Sequence, residues 1–185
     1  YLDIIKDRLY TSLADDPRRR AAQSTCDDVF QALARLMAPI LTFTAEEAWR
    51  YAPGARAESV HLERFPEVPV EWIDDRLERE WSRLLEVRRE AAKALETARA
   101  QGVIGSALEA AVSIAAPPGE LADLLDAKAS ILPTLLIVSQ ARVGPPSPGA
   151  VVRHESADVP GLVVGVERAR GTKCARCWVW SERVG

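Results

Sequence analysis

Residues 70–100 read VEWIDDRLEREWSRLLEVRREAAKALETARA, and this stretch decides the fold class of the chain. From Trp81 onward, residues on one helical face recur every three to four positions, the period of an α-helix. The residues near that face are Trp72, Trp81, Leu84, Arg88, Ala91, Leu95 and Ala98. Gln101-Gly102 follows directly, and a glycine just beyond the last turn commonly ends a helix. The sequence therefore predicts a long helix over residues 70–100.

The chain on the N-terminal side of this stretch also has a helical pattern. A first apolar stripe with three- to four-residue spacing consists of Leu2, Ile5, Leu9 and Leu13. Asp16 suits the N-cap of a second helix, and Pro17 suits its first position, where the missing N–H is not needed. This helix is predicted to run to about Ala38, because Pro39 follows it. Its predicted inward residues are Ala22, Cys26, Val29, Leu33, Leu36 and Met37.

Thr44-Ala45-Glu46-Glu47 has the pattern of a capping box. In such a box the Thr44 hydroxyl accepts from an amide of the first turn, and Glu47 reaches back to the cap N–H. The short helix that it opens is predicted to end at residues 52–54. Together with the long helix, these segments predict a helical bundle over residues 1–102.

The pattern changes to short mixed elements after Gly102. Strands are predicted at 108–115, 134–143, 151–155 and 162–168, a short helix at 120–130, and an exposed loop at 144–149. The predicted fold class is α+β, mainly α. A helical bundle over 1–102 is followed by a small mixed α/β module over 103–170 and by the first half of a zinc knuckle over 171–185.

Cys174 and Cys177 form the motif with the clearest chemistry. Two thiolates at this spacing can bind one Zn²⁺ from a tight turn, and the basic neighbours Lys173 and Arg176 favour the thiolate form. A structural zinc site needs four ligands, and residues 178–185 contain no Cys or His. The motif therefore predicts half a zinc site. The alternative is a pair of reduced surface thiols; a redox pair is disfavoured, because such motifs open a helix after a strand.

Composition and charge limit the function classes. The net charge is −3, whereas a sequence-blind nucleic-acid binder is usually basic, so any RNA contact has to come from local patches. Three cysteines without a disulfide framework favour a reducing compartment, and we expect a cytoplasmic protein. No apolar run is long enough for a membrane span, and phosphate-loop and nucleophile motifs are absent. We expect no catalytic residue in this chain, and no membrane or DNA partner.

The basic residues suggest where an RNA would bind. Lys6 and Arg8 precede Tyr10 in the first helix, and basic residues open the second helix at 18–20. Arg88 belongs to a third basic group, at 83–93 in the long helix. Such groups can contact phosphates, and a tyrosine can stack on an unpaired base. The alternatives are local ion pairs with Asp15 and Asp16 and a solvated face of the long helix.

Five segments, in order, resemble isoleucyl-tRNA synthetases of the bacterial type. They are YLDIIKDRLY at 1–10, LMAPILTFTAEE at 36–47, SVHL with Phe65-Pro66 at 59–66, VIGSALEA at 103–110 and KCARCW at 173–178. The first two segments also occur loosely in valyl and leucyl relatives. The segment at 103–109 and the cysteine pair favour the isoleucyl branch.

The resemblance implies a class I ligase that joins isoleucine to its tRNA with ATP. The catalytic signatures of that family are absent here, so we expect a non-catalytic part of a longer, monomeric protein, with ATP and isoleucine bound elsewhere. Its partner would be the anticodon stem-loop of isoleucine tRNA. The RNA-binding residues that we predict are Lys6, Arg8, Tyr10, Arg18, Arg19, Arg88 and Trp178, and the zinc ligands are Cys174 and Cys177. The alternatives are a helical protein–protein module with a zinc knuckle and the equivalent region of a valyl- or leucyl-tRNA synthetase.

Overall fold

The computed structural model describes residues 1–54 and 56–184, which form two compact units. The sheet unit comprises Tyr1–Lys6 and Asp74–Gly185, and the helical unit comprises Asp7–Ile73. The long helix therefore shares a unit with the strands. The predicted domain bounds of 1–102, 103–170 and 171–185 stay a prediction.

Helices and strands are numbered along the chain. The helices are α1 (Leu2–Thr11), α2 (Pro17–Met37), α3 (Thr42–Tyr51), α4 (Asp75–Ala100), α5 (Glu120–Ala127) and α6 (Leu132–Leu136). The strands are β1 (Ala110–Ala115), β2 (Gln140–Val143), β3 (Val152–Glu155), β4 (Val163–Arg168), β5 (Thr172–Lys173) and β6 (Trp180–Ser181). This content confirms the fold class α+β, mainly α. None of the helices described here is long and apolar enough to cross a membrane.

The start of α2 follows the sequence signals. The Asp16 carboxylate accepts a hydrogen bond of 2.8 Å from the Arg18 amide, and Pro17 occupies the first helical position. This confirms the predicted cap, because an Asp side chain satisfies an amide that has no partner within the helix.

The capping box predicted at residues 44–47 is wrong. α3 begins at Thr42, so Thr44 lies within the first turn, and no side chain caps the helix at Leu41. Glu46 instead turns to the following segment, where its Oε2 accepts from Ser59 Oγ at 2.8 Å and from the Val60 amide at 3.1 Å. Glu46, the neighbour of the predicted capping residue Glu47, therefore fixes the loop at residues 59–60.

The helical unit has a small core, and α2 buries a different face from the one predicted. The core consists of Ala34, Ala38, Ala45, Trp49 and Val60, with Phe30 packed against it. Of the predicted inward residues, Ala22 is buried, but Val29, Leu33, Leu36 and Met37 are exposed instead. Close packing of α2 on α3 selects the alanine face, and the larger apolar residues are left outside.

The sheet unit is organised by α4. Asp74 caps this helix, accepting from the Leu77 amide at 2.9 Å, so α4 begins five residues later than predicted. Gly102 has a φ of 71° and confirms the predicted stop. Trp72 lies in a preceding 3₁₀ turn of the helical unit and not in the long helix, contrary to the prediction, and both Trp72 and Trp81 are exposed. The buried face of α4 is formed by Leu84, Val87, Glu90, Ala91, Ala94, Leu95 and Ala98.

The four-stranded sheet has the order β2-β1-β4-β3, in which β1 and β2 are parallel and the other pairs are antiparallel. Val166 of β4 lies opposite Val112 on one side and Val152 on the other, and all three are buried. Residues of α4, α5 and α6 contribute to the same core, and Ile4 of α1 packs against it.

One predicted strand, at 134–143, is largely helix. α6 occupies Leu132–Leu136, and Ile137 ends it in the left-handed conformation with a φ of 58°, so the strand begins only at Gln140. Pro133 is suited to the first turn of a helix, and this local preference outweighs the branched residues that follow. The other predicted strands agree to within two residues.

Candidate nucleic-acid interface

The predicted residues of α1 are accessible to different extents. Lys6 is exposed, and its Nζ lies 2.9 Å from Asp3 Oδ1. The hydrogen bond and charge of Lys6 hold the pKa of Asp3 below its ordinary value. Arg8 is half-buried, whereas Tyr10 is 79% exposed. Tyr10 therefore presents its ring to solvent, as base stacking requires.

Arg18 and Arg19 differ although they are adjacent in the first turn of α2. The Arg18 guanidinium pairs with Asp16 at 3.1 Å, and its hydrogen bonds lower the pKa of Asp16 to about 2. Arg19 donates from Nη1 to the Ser12 carbonyl at 2.9 Å, and its Nε is buried without a partner in the described structure. Arg18 thus makes the local ion pair that the sequence offered as an alternative, with its side chain 76% exposed.

Arg88 is partly engaged within the sheet unit. Its Nε donates to the Leu135 carbonyl at 2.9 Å, near the end of α6. This hydrogen bond satisfies a carbonyl that has no partner beyond a helix end, and it fastens α4 to α6. Arg88 has a packing role that its sequence neighbours do not indicate.

The cysteine motif lies in a hairpin. β5 and β6 pair antiparallel, with Lys173 opposite Trp180. The Cys174 amide donates to the Val179 carbonyl, and the Trp178 amide donates to the Cys174 carbonyl, both at 2.9 Å. Trp178 is 61% exposed, with Lys173 Nζ 5.3 Å from its ring centroid. The connection therefore folds back tightly between the two cysteines.

The two cysteines lie in one tight turn, and the pKa of one of them is lowered. Hydrogen bonds from the backbone of Cys177 and of Arg176, then from the Cys177 side chain, lower the pKa of Cys174. A lowered pKa favours the thiolate that binds Zn²⁺. Within residues 1–54 and 56–184, however, no group of three or more His, Cys, Asp or Glu residues could hold a metal ion. The donor set fits two of the four ligands of a structural zinc site.

The sequence did not predict two concave surfaces that the structure contains. A groove of about 980 Å³ in the helical unit is lined by residues including Arg20, Cys26, Asp27 and Tyr51, and Tyr51 is 85% exposed. A second cleft, of about 480 Å³, lies over the sheet of the sheet unit. Its basic residues, Arg142 and Arg170, are separated by two other strands in the sequence, so no local motif contains both.

Comparison with known proteins identifies the family. The sequence profile of the anticodon-binding domain of tRNA ligase matches residues 1–114. The chain belongs to this family. The matched range extends from α1 through α4 into β1, and so includes parts of both units of this anticodon-binding chain.

Curated relatives of this anticodon-binding chain include isoleucine–tRNA ligases of several bacteria. It is 48% identical over 185 residues to isoleucine–tRNA ligase of Geobacter sulfurreducens, 43% over 185 residues to that of Syntrophotalea carbinolica, and 45% over 188 residues to that of Moorella thermoacetica. Each match covers 100% of the chain and 20% of the relative, so the chain spans a fifth of the length of these proteins. The resemblance to isoleucyl-tRNA synthetases is confirmed.

Proposed function

We propose that this chain is the part of an isoleucine–tRNA ligase that recognises the anticodon stem-loop of isoleucine tRNA in the cytoplasm. The observation that carries the proposal is the family match over residues 1–114, together with whole-chain identities of 41–48% to isoleucine–tRNA ligases. ATP and isoleucine would bind, and the ligation would occur, in parts of the longer protein outside residues 1–185.

Exposed aromatic and basic side chains support this role physically. An anticodon loop presents unstacked bases, which proteins recognise by stacking and by hydrogen bonds to base edges. Tyr10 is the predicted stacking residue, since its ring is 79% exposed, and Lys6 and Arg18 are exposed cations for the phosphates. Arg88 uses one of its five N–H donors on Leu135, so donors remain for a phosphate. Arg8 and Arg19 are half-buried and are the weaker candidates.

The cysteine hairpin would complete a zinc site in the longer protein. We propose that Cys174 and Cys177 supply two thiolates and that two further ligands come from residues outside this chain. The metal would supply folding energy to the hairpin. Trp178 lies directly after this turn and would either cover the metal or stack on a base.

A second candidate function, protein–protein contact, rests on one feature of the helical unit. Val29, Leu33 and Leu36 form an exposed apolar stripe on α2, and Phe43 is 90% exposed. Contiguous exposed apolar surface is typical of a contact surface between proteins or between domains. A surface of this kind does not exclude tRNA recognition by other residues.

Replacing Tyr10 with alanine tests the proposal. The Tyr10→Ala chain should bind an isoleucine tRNA anticodon stem-loop about tenfold more weakly, because one base–aromatic stack contributes about 1–3 kcal/mol. The matched control is Tyr51→Ala, which removes a ring that is equally accessible, at 85% exposed, in the same helical unit. Equal effects of the two substitutions, measured by fluorescence anisotropy, would contradict a specific role for Tyr10.

A further inference from the structure

The second cleft, called here the sheet cleft, is lined by charged and polar side chains, and none of the predicted RNA-binding residues lines it. It is lined by Ala111, Val112, Gln140, Ala141, Arg142, residues 145–148, Glu167 and Arg170. Its volume, about 480 Å³, is within the range typical of small-ligand sites. All of these residues belong to the sheet unit.

One wall of the cleft is the proline loop, residues 145–149. This loop lies close to β4. A Cβ atom added at Gly165 would lie 2.8 Å from Pro146 Cβ, and one added at Gly149 would lie 2.7 Å from Glu167 Oε2. The Val151 amide, just beyond the loop, donates to the Val166 carbonyl at 2.9 Å. Glycine at 149 and 165 therefore permits a contact that builds a fixed wall of proline rings.

The opposite end of the cleft is fixed by Gln140. Its side-chain amide makes two hydrogen bonds to the backbone of Arg170, donating to the carbonyl at 3.0 Å and accepting from the N–H at 3.1 Å. The adjacent Ser139 Oγ accepts from the Trp180 amide at 2.7 Å. Two consecutive residues thus anchor the cysteine hairpin, which carries Trp178, beside the cleft.

The charged and polar groups at the cleft are complementary to a ligand that has an anionic group and a planar part with hydrogen-bonding atoms. Arg142 and Arg170 are both exposed cations, and Glu167 is the one acidic residue in the lining. Arg142 is oriented by its own hydrogen bond to the Pro145 carbonyl. Ser147 Oγ is buried and has no hydrogen-bond partner among the residues that the structure describes. A buried hydroxyl without a partner is unfavourable, so a ligand that bonds to it would gain free energy.

A nucleotide has these complementary groups. Its phosphate would pair with Arg142 and Arg170, and its base or ribose would lie on the proline rings. Ser147 Oγ and Glu167 would accept hydrogen bonds from a base N–H or from the 2′-hydroxyl, the group that distinguishes RNA from DNA. An apolar ligand would leave the two guanidinium groups and the Ser147 hydroxyl without partners.

We propose that the sheet cleft binds one unstacked nucleotide of the tRNA, with Arg142 and Arg170 on its phosphate and Ser147 on its base or ribose. This inference rests on the proposed function and extends the RNA contact from the predicted residues to the cleft over the sheet. It predicts that the tRNA footprint continues from the hairpin onto the proline loop.

Charge reversal tests the phosphate contact. Isoleucine tRNA should bind the Arg142→Glu/Arg170→Glu chain about tenfold more weakly, with the slope of log affinity against log salt reduced by about one or two. The matched control is Arg153→Glu, which reverses an exposed arginine on β3 that pairs with Glu155. A double variant that binds no more weakly than the control would overturn the proposal.

Ser147→Ala separates binding from folding. Because Ser147 Oγ has no partner in the described structure, its removal should not lower the unfolding midpoint, yet it should weaken tRNA binding several-fold. Unchanged affinity would contradict the assignment of Ser147 to the ligand. Circular dichroism of the same variant reports whether the sheet unit stays folded.

Titration with adenosine and uridine 5′-monophosphates distinguishes this proposal from the proposed function. Amide resonances of residues 140–147 and 170 should shift at millimolar nucleotide, and those of residues 152–155 should not. If the intact chain fails to bind tRNA but these shifts occur, the proposed function fails, and the cleft binds a free nucleotide but not one of the tRNA. If Tyr10→Ala weakens tRNA binding and no nucleotide shifts the cleft, the cleft assignment fails alone.

Discussion

The sheet unit and the helical unit bury apolar residues very differently. Among the residues that the structure describes, the core of the sheet unit contains twenty buried residues drawn from α4, α5, α6, the strands and the segments between them. On the same basis, the core of the helical unit contains five buried residues, three of which are alanine. Burial of large apolar side chains dominates folding stability, so we expect the sheet unit to be the more stable of the two.

Helix α2 has two apolar faces, and only one of them is buried in the helical unit. Its alanine face packs against α3, while Val29, Leu33 and Leu36 remain exposed on another face. A helix with two apolar faces is typical of a bundle in which each face contacts a neighbour. In α2 of the helical unit the large apolar residues therefore lie on the surface, whereas the large apolar residues of the sheet unit's core are buried.

The largest expected effect comes from truncating the sheet-unit core. Leu162 is 1% exposed, and Leu162→Ala should lower the free energy of unfolding by about 2–5 kcal/mol. Leu33→Ala, at a residue that is 54% exposed, should change it by less than about 1 kcal/mol. Urea unfolding followed by circular dichroism measures both. Similar losses for the two variants would contradict the comparison.

The second effect concerns the buried carboxylate of α4. Glu90 is 2% exposed and is held by Lys93 Nζ at 2.7 Å and by His154 Nε2 at 2.8 Å. Hydrogen bonds from Lys93 and then His154 lower the pKa of Glu90 from 4.5 to about 2. A lowered pKa in the folded state stabilises the fold above pH 4.5, and this contribution is lost as the pH falls toward 2.

Glu90→Gln should therefore destabilise the sheet unit by on the order of 2–3 kcal/mol at pH 5.5. The difference from the unmodified chain should shrink by more than half at pH 3, because the wild-type carboxylate is then losing its advantage. Urea midpoints at the two pH values provide the measurement. A difference independent of pH would mean that Glu90 acts by packing alone.

The smallest expected effect comes from removing a helix cap in the helical unit. Asp16→Ala removes the cap of α2 and should cost about 1 kcal/mol. The loss should appear in protection of α2 amides from hydrogen exchange and leave those of β1 and β4 unchanged. Asp74→Ala removes the corresponding cap of α4 and serves as the matched control in the sheet unit. Equal loss of protection in both units after Asp16→Ala would indicate that they unfold together.

Local signals in the sequence predicted much of the fold. Asp16-Pro17 and Gly102 act on the backbone within one or two residues, so the predicted start of α2 and end of α4 were correct. The strand predicted at 134–143 failed because branched residues favour strands only where neighbours pair with them. The prediction of the buried face of α2 was wrong, because apolar residue type alone does not show which of two apolar faces is covered.

The candidate site was predictable only where one segment carries it. Tyr10 could be named from the sequence, but its exposure depends on packing. Arg142 and Arg170 could not be named, because they come together only through the order β2-β1-β4 of the sheet. Non-local arrangement, and not residue type, sets the limit here.

The most direct test of the central claim compares anticodons. The unmodified chain is titrated with the isoleucine tRNA anticodon stem-loop and with the same stem carrying exchanged anticodon bases, at two salt concentrations. We expect tighter binding of the native loop at both salt concentrations, with salt weakening both complexes without removing the preference, because base contacts specify and phosphate contacts position. Equal affinity for the two loops would contradict anticodon recognition by this chain.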